Sequence, residues 1–129
     1  MKANELMIGD WVLTLDSTHK EKVLAQIDAI EEGQHSILVT RECSNWFVDI
    51  DWIEPISLTT EILEKNGWVY IAEDKVFYSE KLKGELPWIY YITDGSNEVF
   101  RMRDFCNLQY VHELQHALRL CGINHEIIL

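Results

Sequence analysis

The sequence predicts an α+β fold: an N-terminal small curled sheet or SH3-like barrel, a short helix, antiparallel hairpins and a C-terminal helix. Three observations carry this expectation. The first third alternates apolar and polar residues in short runs split by turns. A cappable helical segment follows a proline break, and two further strand pairs precede a closing segment of helical period.

In chain order, Gly9-Asp10 is a turn signal, after which Trp11, Leu13 and Leu15 alternate as a strand. Val23, Ala25, Ile27 and Ala29 alternate next, although Val23, Ile27 and Ile30 also fit a helix. Glu32-Gly33-Gln34 reads as a turn before the short β-branched strand Ile37-Leu38-Val39-Thr40. Trp46, Val48, Ile50 and Trp52 then form the clearest alternation, with Asp49 and Asp51 facing the other way. Glu54-Pro55 breaks the pattern, because the residue before proline is pushed out of the helical region. Ser57 or Thr59 caps a short helix through Glu61, Ile62 and Leu63, which Asn66-Gly67 closes.

From Trp68 the chain returns to strands. Trp68–Ile71 and Val76–Tyr78 flank a turn at Glu73-Asp74, and Trp88–Ile92 and Val99–Met102 flank Asp94-Gly95-Ser96-Asn97. A helix is expected from Leu108 to Cys121, with Asn107 as cap and Gly122 as stop, followed by a short terminal strand at Ile127-Ile128-Leu129. Trp11, Trp46, Val48, Ile50, Trp52, Leu63, Trp68, Leu114 and Leu118 are the expected core. The organisation is one compact domain, 1–129, which can be drawn as lobes 1–56 and 57–129.

Composition bounds the function. A hydrophobic share of 47% is that of a folding chain, and at 129 residues no metal or disulfide staple is needed to bury a core. The net charge of −11, with no cluster of cations, disfavours direct nucleic-acid binding and docking on an anionic membrane. Such charge ordinarily serves solubility, and the sharper expectation it allows is a protein partner with a basic surface. Cys43, Cys106 and Cys121 are odd in number and lack CxxC spacing, so neither a disulfide framework nor a closed cysteine zinc site is expected. The opening apolar run, Leu6-Met7-Ile8, is too short for a signal-peptide core, and no stretch is long enough to span a membrane. The expected location is the cytoplasm.

Three stretches carry a resemblance. These are Asn4–Val12, Ile53–Thr59 before Ile62-Leu63 and Asn66-Gly67-Trp68, and Tyr110-Val111-His112-Glu113-Leu114-Gln115. Together they resemble a family of small uncharacterised proteins from gut-anaerobe genomes and their prophages. The resemblance implies a cytoplasmic accessory protein of mobile-element origin and names no activity. It also implies amides at the positions of Glu113 and His116, as in HQLQN.

One motif can carry chemistry. His112-Glu113-Leu114-Gln115-His116 matches HExxH, in which two imidazoles four residues apart share one helix face and hold zinc while the glutamate acts on the metal-bound water. A catalytic zinc needs a third protein ligand, and the extended HExxHxxGxxH form is missed. His125, Glu126 or Cys121 would have to be recruited after Gly122. At roughly 100° per residue, Val111, Leu114, Leu118 and Cys121 form the apolar stripe, leaving His112 and His116 on a solvated face beside Arg119.

Asp49 and Asp51 on one strand face could serve as paired carboxylates, but such alternation is more often a sheet's wet side. No base flanks Cys106 or Cys121 to activate a thiol. His19, His35 and His125 read as surface residues, and there is no phosphate loop or GxSxG elbow. The preferred expectation is a non-enzymatic interaction module with no catalytic residue and no cofactor. The alternatives are a zinc-dependent hydrolase using His112, Glu113 and His116, with His125 as a further ligand, and an acidic mimic that inhibits a nucleic-acid-binding protein.

Overall fold

A computed structural model describes residues 5–30, 35–79, 88–94, 97–102, 106–123 and 125–129. The chain divides into two compact units, Met1–Ile56 and Ser57–Leu129.

In the first unit, strands β1 (Trp11–Leu15), β2 (Lys22–Ile30), β3 (Ser36–Arg41) and β4 (Ser44–Asp49) form one antiparallel sheet in sequential order. Val12, Ala25, Ile27, Ile37, Val39 and Val48 are buried together with Leu6, Ile50 and Ile53. Alternation decides the strand character of β2, against the helical reading of the same residues. Its register shifts between Ile27 and Ala29, turning Asp28 outward. The inward residues of β1 are Val12 and Thr14, while Trp11, Leu13 and Leu15 are only half-buried. Asp10 at the expected first turn is buried, and its carboxylate accepts the Met7 N–H at 2.7 Å. The turn expected at 32–34 lies outside the described residues.

The sheet curls without a ladder closing it into a barrel among the described residues. Its ends are linked by one antiparallel bridge, in which Leu13 and Glu54 exchange N–H···O bonds of 2.9 and 2.8 Å. Trp46 adds a bond from its indole N–H to the Leu15 carbonyl at 3.0 Å. The alternation through Trp52 does not continue as strand. Asp49 ends β4 and its carboxylate accepts the Asp51 N–H at 2.9 Å, opening a 3₁₀ turn over Ile50–Trp52. Trp52 is consequently 42% exposed.

The second unit opens with helix α1 (Thr60–Lys65). The Thr59 hydroxyl accepts the Ile62 N–H at 3.3 Å, and Gly67 takes a φ of 92° immediately after the helix. Strands β5 (Trp68–Ile71), β6 (Val76–Ser79), β7 (Ile89–Asp94), β8 (Asn97–Met102) and β9 (Cys106–Leu108) follow as a sequential antiparallel sheet. Helix α2 (Val111–Leu120) comes last. The expected helix start is thus corrected: Cys106–Leu108 pairs with β8, and Tyr110 rather than Asn107 stands at the N-cap. Gly95 and Ser96 of the β7–β8 turn lie outside the described residues.

Register places Trp68, Phe77, Ile89, Phe100, Met102 and Leu108 on one face of this sheet, and all six are buried. Helix α1 lies against β5 and α2 against β9, and Leu63, Val111, Leu114 and Leu118 are buried with them. Residues 127–129 form no strand. Ile127 is buried, and the Asn66 side chain holds Ile128 by two hydrogen bonds. Of the tryptophans expected in the core, only Trp68 is fully buried; Trp11 and Trp46 are half-buried.

Candidate functional site

The HELQH segment lies wholly on α2, but not on a solvated face. His112 is only 6% exposed and His116 is half-buried, whereas Cys121, expected on the apolar stripe, is exposed. The buried arc takes in Val111, His112, Leu114, Gln115, Ala117 and Leu118, more than half of the helix circumference. An imidazole and a carboxamide therefore sit where a narrow apolar stripe would have put them in water. The His112 ring stacks on Tyr110 at 5.8 Å and meets His116 edge-on at 5.5 Å.

Glu113 has a local role. One carboxylate oxygen accepts the backbone N–H of Tyr110 at 2.9 Å and of Gln109 at 3.0 Å. Both are donors that the helix start leaves without an intrahelical partner, and a carboxylate there also opposes the positive end of the helix dipole. His125, read as a surface residue, stands half-buried with its ring edge-on to Trp68 at 5.2 Å. Among the described residues no group of three His, Cys, Asp or Glu is placed to hold a metal. The histidine pair therefore gains no third ligand from His125, Glu126 or Cys121.

The remaining chemistry-bearing residues do not converge. Asp49 caps a turn and Asp51 lies within it, so the two do not share a strand face. Cys43 and Cys121 are exposed free thiols, and the side chain of Cys106 lies outside the described residues. His19 and His35 are exposed, with His19 edge-on to Trp52 at 5.1 Å.

An open groove of about 620 Å³ lies between Ser57–Thr59, Glu98–Val99 and Asn107–Gln109. Several of its polar groups serve the fold. Thr59 caps α1, Glu98 accepts the Tyr91 hydroxyl at 2.9 Å, and the Leu58 N–H donates to the Gln109 carbonyl at 2.9 Å.

The second face of the five-stranded sheet is the feature that sequence reading missed. Register puts Val69, Ile71, Val76, Tyr78, Tyr90, Ile92 and Val99 together on it, and Trp88 joins through its ring contact with Tyr78 at 6.0 Å. Val76 is buried among its neighbours, but Val69 is 52% exposed, Trp88 39%, Tyr90 43% and Ile92 49%. A solvent-facing sheet surface is ordinarily polar, whereas this one is apolar and aromatic across β5 to β7 and turns polar only at the exposed Arg101 and Asn107 beside Tyr90. The available signal was Trp88-Ile89-Tyr90-Tyr91-Ile92, apolar at every position instead of at every second one.

Comparison of the chain with family models, with curated proteins and with solved structures finds no match.

Proposed function

We propose that this chain is a non-enzymatic protein-interaction module whose docking surface is the second face of the five-stranded sheet. The observation that carries the reading is the exposure of Trp88, Tyr90 and Ile92 on that face, with Val69 exposed beyond Tyr78 of the neighbouring strand. Large rings and branched aliphatics supply contact area at low conformational cost, and aromatic residues are enriched where proteins bind one another. The net charge of −11 favours a partner whose surface is basic around an apolar patch.

A cytoplasmic, mobile-element setting belongs to the same proposal and rests on the three resembling stretches alone. The zinc-hydrolase alternative has weaker support, because the Glu113 carboxylate is taken up by the helix start. The acidic-mimic alternative rests on the net charge of −11 alone.

The test compares affinity capture by the full chain, by a Tyr90→Ser/Ile92→Ser variant and by Leu120→Ser, a change at an 89% exposed helix position away from the sheet. The expected result is a partner held by the wild type and by Leu120→Ser, released by the sheet variant, and bound more weakly as salt rises. A partner captured equally by all three proteins would remove the sheet face from the proposal.

A further inference from the structure

The Trp68 indole has two polar neighbours, and all three side chains hold a buried atom that no group among the described residues satisfies. Trp68 and Ser79 stand directly opposite each other in the β5–β6 ladder, and both are almost fully buried. Directly opposed residues in a ladder hold their Cβ atoms only about 5 Å apart. The His125 ring meets the same indole edge-on, at 5.2 Å and 87°. The indole Nε1, the Ser79 Oγ and the His125 Nε2 are each buried without a hydrogen-bond partner among the described residues.

Buried polar atoms are ordinarily bonded, and three orphans around one ring share one remedy. Their chemistries are complementary. The indole only donates, the hydroxyl donates or accepts, and an imidazole with its proton on Nδ1 accepts at Nε2. We infer that one internal water molecule is bound between Trp68, Ser79 and His125. It accepts from the indole N–H and the Ser79 hydroxyl and donates to His125 Nε2. Three bonds are what a buried water typically makes. The site ties the C-terminal segment carrying His125 to the β5–β6 hairpin through a polar link inside an apolar setting.

The experiment uses the full-length ¹⁵N-labelled protein. A rotating-frame Overhauser cross-peak between water and the Trp68 indole proton is expected, and oxygen-17 relaxation dispersion should count one long-lived water more in the wild type than in Ser79→Ala. That substitution removes one of the three anchors with almost no change of volume, and amide spectra report whether it folds. Two outcomes would overturn the inference. One is a folded wild type without the cross-peak. The other is a ¹⁵N–¹⁵N coupling between the indole and His125 Nε2, which would mean a direct bond with no water between. An unchanged water count in folded Ser79→Ala would likewise overturn the assignment of Ser79 as an anchor.

Discussion

Asn66 and Ile128 are joined as two strands would be, although neither lies in one. The Asn66 carboxamide accepts the Ile128 N–H at 2.6 Å and donates to the Ile128 carbonyl at 2.8 Å, and its amide also reaches the Ile62 carbonyl at 2.8 Å. One buried side chain thus closes the last turn of α1 and anchors the chain end 62 residues away. Removing it takes this partner from the part-buried N–H and carbonyl of Ile128, while the Ile62 carbonyl keeps the Asn66 backbone N–H at 3.2 Å. Asn66→Ala should lower the stability of this unit by about 1–3 kcal/mol, read as an earlier denaturant midpoint followed by tryptophan fluorescence. Removing residues 125–129 should make the Asn66→Ala cost shrink, since the two changes delete a shared interaction. Full additivity of the two would show that the pair does not couple the tail to α1.

Much of this architecture is legible in the sequence where one local signal decides one structural event. Thr59 and Gly67 bound α1 because a hydroxyl cap and a left-handed glycine act on the backbone directly. The hairpin strands follow from alternation between turn residues. The missed features depend on pairing, turning and packing that periodicity does not register. β9 is three residues long and exists because it pairs with β8, so its Asn107 looks like a helix cap when read alone. Trp52 keeps the alternating spacing of β4, yet the Asp49 carboxylate has already turned the backbone. His112 and Gln115 count as polar in any periodicity argument, and only the packing around α2 shows that its buried arc is wide enough to take them in. For the candidate surface, β7 is apolar on both faces, so its strand character was legible while the choice of inward face was not.

Asp16 provides a pH handle on the β1–β2 connection. Its carboxylate accepts the Thr18 hydroxyl at 2.7 Å and the N–H groups of Thr18 and Lys20 at 3.1 Å each. The Thr18 hydroxyl, then the Lys20 N–H, hold the Asp16 carboxyl below its usual range. A depressed folded value means that the charged form stabilises the loop. That contribution is present above the ordinary aspartate range and is lost as pH falls through the folded value. NMR titration should find Asp16 among the more acidic aspartates, and Thr18→Val should move its midpoint upward. A midpoint unmoved by that substitution would assign the shift to other groups.

Tyr91 carries the opposite sign. Its hydroxyl donates to the Glu98 carboxylate at 2.9 Å, and this bond, reinforced by desolvation and by the Glu98 charge, raises the phenol above its ordinary value. The protonated form is favoured in the fold, so the contribution is complete below the ordinary tyrosine range and disappears as pH rises through the folded value. In Glu98→Gln the Tyr91 ring-carbon titration should shift to lower pH. If Tyr91 titrates alike in both proteins, the hydrogen bond does not persist in solution.

Glu113 separates the structural and the chemical readings of HELQH. As a cap, its carboxylate satisfies the N–H groups of Gln109 and Tyr110, so Glu113→Ala should cost about 1–2 kcal/mol. Glu113→Gln keeps an acceptor oxygen at the same place and should cost noticeably less, because only the charge is lost. As the base of a zinc hydrolase, Glu113 would show another pattern: Glu113→Gln would leave metal content and stability intact and abolish turnover. Denaturation curves of the two variants, with zinc analysis of untagged, dialysed protein beside them, distinguish the cases. The capping role predicts a stability loss in the order Ala over Gln, without stoichiometric zinc. Zinc that survives dialysis in the wild type and disappears in His116→Ala would instead show that the edge-on pair of imidazoles on α2 is a metal site whose remaining ligand lies beyond the described residues.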